Sequence, residues 1–113
     1  MLTVADVLER AADLIEPDGA WVKGELGYDA DGNRIPDREV IHSAVCFCVA
    51  GAIWRAADVG ADDTIVWDAF KSLGRSANFR TGVGPWNDKP ERTQPEVVAA
   101  LRRAATLARA GDA

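Results

Sequence analysis

Apolar side chains recur at helical spacing from the start of the chain. Val4, Val7, Leu8, Ala11, Leu14 and Ile15 fall on one face, and Thr3 with Asp6 makes a capping-box-like start. Pro17-Asp18-Gly19 stops that helix, predicting it over about 3–16. The pattern then changes. Trp21 and Gly24 precede Tyr28-Asp29-Ala30-Asp31-Gly32-Asn33, whose Asp-Gly-Asn cluster is a turn signal between short candidate strands. A β-hairpin or an ordered loop is predicted over about 21–37. From Ser43 onward, Ala44 to Trp54 are apolar on every side, which predicts a helix over about 43–59 at the buried centre of the domain. Gly51 within it costs about 1 kcal/mol against Ala in an exposed helix, so its presence implies that another backbone passes close by.

Asp62 is placed to cap a further helix over 62–73, with Val66, Ala69, Phe70 and Leu73 on one face, Trp67 beside it and Gly74 suited to the C′ position. The glycines and prolines of residues 75–92 predict an extended crossing loop in which Pro85-Trp86 does not open a helix. Thr93-Gln94-Pro95-Glu96 then combines an N-cap Thr, a first-turn Pro and a Glu at the third helical position. Val97, Val98, Leu101, Ala104, Ala105 and Ala108 follow, predicting a closing amphipathic helix over about 94–110. The expected fold is mainly α: four helices and a short hairpin in one compact domain, residues 1–113.

Composition narrows the class. The 113 residues are 48% apolar with a net charge of −5, which excludes a disordered tail and fits one acidic domain with a radius of gyration of roughly 13 Å. The apolar run Ala44 to Trp54 is about half of the roughly 20 residues a membrane-spanning helix needs, so no membrane partner is expected. The first residues lack a basic n-region and an apolar h-region, which points to the cytoplasm. Charge is uneven: residues 1–70 carry 5 basic and 14 acidic side chains, net −9, and residues 71–113 carry 8 basic and 4 acidic, net +4. Arg102, Arg103 and Arg109 sit toward the polar side of the last helix, where cations are ordinary dipole partners. With an acidic total and no recognition motif, nucleic acid is disfavoured.

The candidate chemistry is sparse. Cys46 and Cys48 lie about 200° apart on a helix and neither pair nor share a metal there. His42 and Cys46 give two ligands of a zinc site that takes about four, and no second His or third Cys exists, so neither a metal nor a cofactor is expected. Asp29, Asp31 and Asn33 have calcium-loop spacing, but Arg34 stands where that loop needs Gly and Val40 where it needs Glu. Gly82-Val83-Gly84 lacks the Lys-Ser/Thr of a phosphate loop. Cys48 becomes a candidate nucleophile if its helix starts later, with His42 as base and Asn87 or Asp88 as orienter; as a small residue it simply permits close packing. Trp86 stacks on a flat ligand or plugs the core, and Asn87 and Asp88 read a ligand edge or tie the loop to backbone amides. Four tryptophans, at 21, 54, 67 and 86, are more than a small core hides, so one or two are expected to reach a groove or a partner.

One set of spaced residues resembles a known family. Ala11-Ala12-Asp13-Leu14-Ile15, Trp21-x-x-Gly24, an Asp-Gly turn, Cys48-x-x-Gly51-Ala52-Ile53, Trp86-Asn87-Asp88 and Thr93-x-x-Glu96-Val97 occur in an order similar to that of a functionally uncharacterised family of short actinobacterial and phage proteins. His42 and Cys46 stand outside that pattern. The resemblance implies a bacterial or phage accessory protein and supplies no catalytic residues.

The leading expectation is a non-catalytic interaction module that binds a protein partner or its own copy. The alternative is a small-molecule, nucleotide-like binder, and the third a hydrolase dependent on Cys48. Trp21, Arg80, Trp86, Asn87 and Asp88 are the candidate ligand- or partner-binding residues.

Overall fold

The computed structural model describes residues 2–57 and 63–112. The first helix, α1 (Val4–Ile15), opens on the expected capping box: Asp6 N–H donates to Thr3 Oγ1 at 3.1 Å and Thr3 N–H donates to Asp6 Oδ2 at 3.0 Å. Its buried stripe, Ala5, Val7, Leu8, Ala11, Ala12 and Ile15, faces the rest of the core. At its other end, Gln94 Nε2 donates to the carbonyls of Ile15 at 2.6 Å and Pro17 at 2.7 Å, satisfying acceptors that a helix C-terminus leaves open.

Between α1 and the next helix the chain is less regular than a self-contained hairpin. The Asp-Gly-Asn turn forms: Asp29 Oδ1 accepts from the N–H groups of Asp31 and Asn33 at 2.9 Å, and Tyr28 and Arg34 make one antiparallel bridge. The strand partner of β1 (Gly27–Asp29), however, is β2 (Ala44–Phe47), antiparallel, with Tyr28 opposite Cys46. Phe47 is also bonded on its other side, donating to Ala20 O at 2.8 Å while its carbonyl accepts from Val22 N–H at 3.0 Å. A 3-10 segment, Arg38–Ser43, leads into β2.

The helix expected over 43–59 is therefore corrected at its start. Residues 44–47 are strand, and α2 runs Val49–Ala57. An unbroken apolar run of this length does not distinguish strand from buried helix by periodicity, and here the ladder with β1 decides. Gly27 permits it, because a Cβ at that position would collide with the Cys46 carbonyl. The cysteines are accordingly not on opposite faces of one helix: Cys46 is in β2 and Cys48 immediately precedes α2. Gly51 does sit under another backbone, since a Cβ there would collide with the Leu26 carbonyl. The expected end of α2 at residues 58–59 and the Asp62 cap lie outside the described residues.

Helix α3 (Thr64–Ala77) ends four residues, about one turn, later than expected. Gly74 is inside it, where a Cβ would press on the Phe79 ring at 3.3 Å, and the left-handed C-cap is Asn78 at φ 58°. The predicted extended loop over 75–92 is corrected again at α4 (Val83–Asp88), a short helix that begins after Gly82 at φ 99° with Pro85 in its first turn. Helix α5 (Gln94–Asp112) starts on the predicted cap, Glu96 N–H donating to Thr93 Oγ1 at 3.4 Å. Five α-helices and one 3-10 segment are thus present among the described residues, where four helices were expected. They enclose one core of Leu8, Ile15, Ile41, Ile53, Leu73 and Leu101, with a radius of gyration of 12.9 Å. Among the described residues no helix is long and apolar enough to cross a membrane.

Candidate functional site

Three of the six singled-out residues, Trp21, Asn87 and Asp88, meet at one junction, and a fourth, Cys48, borders it. Asn87, on α4, has no exposed surface. Its Oδ1 accepts from the Trp21 indole Nε1–H at 2.7 Å and from the Val49 N–H at 3.0 Å. Its Nδ2 donates to the Val22 carbonyl at 3.1 Å and to Asp88 Oδ1 at 3.0 Å. Two acceptor sites and two donor hydrogens are the full capacity of a carboxamide, so Asn87 is saturated within the chain. Asp88 Oδ1 also accepts from Gly24 N–H at 2.9 Å, and Lys23 Nζ donates to the Lys89 and Pro90 carbonyls at 2.7 and 3.0 Å. Residues 21–24 and 87–90 are in effect laced together by side chains.

Cys48 borders this junction. It stands where α2 begins, and its Sγ accepts from Gly51 N–H at 3.3 Å, the reach of a helix N-cap side chain. The position that activates a thiol is therefore occupied. Burial nevertheless pushes the Cys48 thiol up, opposed by the N–H groups of Gly51 and Ala50 and assisted by the Asp88 carboxylate. His42 is exposed on the 3-10 segment and bonds to neither cysteine. Among the described residues, no group of three or more His, Cys, Asp or Glu is placed to hold a metal ion.

Trp86 faces the other way. It is 8% exposed, its ring centroid lies 5.5 Å from that of Phe79, and the Arg92 guanidinium covers it at 4.5 Å. Arg92 is held in turn by the Trp86 carbonyl and Glu96, both at 3.0 Å, and this hydrogen-bonded ion pair keeps the Glu96 carboxyl below the usual range. Arg80 is separate from all of these.

Arg80 instead lines a groove of about 820 Å³ between α2, α3 and the start of α4. Its floor is aromatic. Trp54, Trp67 and Phe70 meet edge to face with centroids 5.4 to 6.1 Å apart, the favourable geometry for ring quadrupoles, and Phe79 continues the surface. Trp67 is 52% exposed. The far side of Trp54 is covered by Arg38 at 4.3 Å, itself held by Asp63 at 3.0 Å. The rim is cationic: Lys71, Arg75 and Arg80 are exposed and, among the described residues, make no ion pair. Asp68 lies on the neighbouring cleft of about 640 Å³, which shares Lys71 and Arg75.

The profile of a family of unknown function, DUF6197, matches residues 1–107. The chain belongs to that family. The match spans both the Asn87 junction and the aromatic groove of this DUF6197 chain. Searches of curated proteins and of solved structures found no match.

Sequence reasoning on this DUF6197 member singled out Arg80 but not the groove around it. The signal was present in α3: Trp67, Phe70, Lys71, Gly74, Arg75 and Asn78 are spaced i, i+3, i+4, i+7, i+8 and i+11, one continuous face. That face lies beside the core-facing stripe of Val66, Ala69 and Leu73.

Proposed function

We propose that this chain is a non-catalytic binding module that docks a protein partner in the α2–α3–α4 groove. The observation that carries the reading is Trp67, a 52% exposed tryptophan held at a groove already floored by three further aromatic rings. Trp is the side chain most enriched where binding energy concentrates, and its ordering cost is met within the free protein by Trp54 and Phe70. The saturated Asn87 and the buried, raised Cys48 support a structural part for the Trp21–Asn87 junction. In the setting implied by the resemblance, the module is a bacterial or phage accessory protein acting in the cytoplasm.

The four indole N–H groups give a direct test. A panel of small aromatic and aliphatic fragments is titrated while the tryptophan indole resonances are followed by NMR. Fragments are expected to shift the Trp54 and Trp67 signals and to leave Trp21, bonded to Asn87, in place. Shifts confined to Trp21, or none at all, overturn the reading.

The nucleotide-like alternative also moves to this groove, because Asn87 has no free donor or acceptor. Arg80 remains from its expected contacts, with Trp67 offering the stacking face and Asn78 an amide. A volume of about 820 Å³ is within the range of small-molecule sites. ATP and GTP added to the same NMR sample test it.

A further inference from the structure

We infer that the occupant of the groove is an acidic amphipathic helix presented by a partner protein; the inference rests on the protein-docking reading above. Three observations point to it. The first is the track along α3 from Trp67 to Asn78, eleven residues at 1.5 Å each, or about 16 Å, which matches roughly three turns of an incoming helix. Its floor offers successive apolar contacts at Trp67, Phe70 and, where Gly74 removes a side chain, Phe79. A helix reads such a track with apolar anchors at i, i+3 or i+4, and i+7.

The second is the backbone on offer. Most of the groove wall is helical, from α2, α3 and the start of α4, with the irregular segment 78–82 supplying the rest, and among the described residues no strand edge lines the groove. An extended peptide laid there would press its own N–H and C=O groups against aromatic rings without partners, at a cost of about 1–3 kcal/mol for each group left unmet. A helix satisfies its own backbone and needs nothing from the walls but apolar surface.

The third is charge. Among the described residues, Arg34, Arg38, Lys89, Arg92, Arg102 and Arg109 are each held by a carboxylate. Of the other cations, Arg10, Lys23, Arg55 and Arg103 do not line the groove, whereas Lys71, Arg75 and Arg80 gather on it with no described Asp or Glu beside them in its lining. In a protein of net charge −5, this is a local cationic rim around an apolar floor. A second copy docked by two-fold symmetry on this face would set the three cations against themselves, since an isologous contact repeats the same patch on both sides. Asp and Glu flanking apolar anchors complement the rim instead.

The probe is a fluorescein-labelled helical peptide of about 18 residues with Leu and Phe along one face and Glu elsewhere, compared with a twin in which every Glu is Lys. Binding is read by fluorescence anisotropy and by the indole signals. The acidic peptide is expected to bind at least about tenfold tighter than the basic twin at low salt, with the ratio shrinking as salt is added. The triple variant Lys71→Glu, Arg75→Glu, Arg80→Glu reverses the preference, and Trp67→Ala weakens both peptides. All four positions are exposed, and an unshifted Trp21 indole signal reports that each variant is folded. Equal binding of the two peptides overturns the acidic assignment and leaves the docking reading standing. Failure of both peptides while ATP or GTP moves Trp67, or while the chain dimerises through this face, overturns both.

Discussion

The Trp21 indole and the Val49 amide, from opposite sides of the molecule's irregular region, donate to the same oxygen of Asn87, at 2.7 and 3.0 Å. One carboxamide thereby joins the segment after α1, the first residue of α2 and the end of α4. Asn87→Ala leaves a half-buried indole N–H, a buried helix N-terminal N–H and the Val22 carbonyl without partners. A loss of about 3 kcal/mol is expected, as for a buried network deprived of its centre. Asn87→Asp keeps the acceptor, loses the donors to Val22 and Asp88, and sets two carboxyls side by side. The new carboxyl folds best protonated, so its folded value is raised and the variant regains stability as pH falls. Urea denaturation of both variants at two pH values checks this, and a wild-type-like midpoint for Asn87→Ala would contradict the network.

Gly51 supplies a second prediction. Replacing a helical Gly by Ala is worth about 1 kcal/mol of added stability where the site is open. Here the new Cβ collides with the Leu26 carbonyl, a backbone group, and stands 3.3 Å from Cδ1 of the fully buried Ile41. Overpacking of this kind costs about 1–3 kcal/mol before the helix gain is subtracted, and a carbonyl bonded to Cys48 N–H has little freedom to retreat. Gly51→Ala is expected to lower the thermal midpoint, whereas Gly111→Ala, with open space around it, is expected to raise it or leave it unchanged.

Which elements were legible in the sequence follows from where their stabilising contacts lie. Helices α1 and α5 are specified locally: Thr3 with Asp6 and Thr93 with Glu96 cap them, and apolar residues repeat on one face. The close approach at Gly51 was likewise legible, because a glycine inside an apolar helix weakens it unless a neighbouring backbone needs the space. Strand β2 was not, since Ala44–Phe47 and the helix after it form one apolar run and only pairing with Gly27–Asp29 separates them. Helix α4 was hidden by its own glycines and proline, and six residues are too few to be helical without the tertiary bonds of Asn87. Asn87 was recognised as a singular residue, but whether it faces a ligand or the interior depends on Trp21 and Val22, more than sixty positions away. The groove combines three elements, so only Arg80 and the surplus of tryptophans pointed toward it.

Arg102 ties the two long helices together. Its Nη1 donates to Glu9 at 2.9 Å, and its Nη2 to Asp13 at 3.0 Å and Glu16 at 3.2 Å, so one side chain on α5 spans two turns of α1. Its side chain is a third exposed, which places the cluster in the range of surface ion pairs. Arg102→Ala is expected to cost about 1 kcal/mol in low salt, and the difference from wild type is expected to narrow in about 1 M sodium chloride as screening weakens the pairs. A cost that does not change with salt would assign the effect to lost aliphatic packing instead.

Cys48 separates the structural reading from a catalytic one. A thiol that caps α2 while buried has its folded value raised above that of the unfolded chain, with burial the leading cause. The sign follows directly: the stability this neutral thiol contributes is fully present below the unfolded thiol's value and is lost as pH rises through the folded one. Wild-type stability is therefore expected to decline on the alkaline side, and Cys48→Ser, which keeps an acceptor for Gly51 N–H and does not titrate there, is expected to flatten that decline. The same burial makes Cys48 slow toward iodoacetamide at neutral pH until denaturant is added, with peptide mapping separating it from the partly exposed Cys46. A Cys48-dependent hydrolase requires the reverse, a thiolate at neutral pH. Rapid alkylation of Cys48 in the native protein would remove the structural assignment and make this helix N-terminus a reactive site.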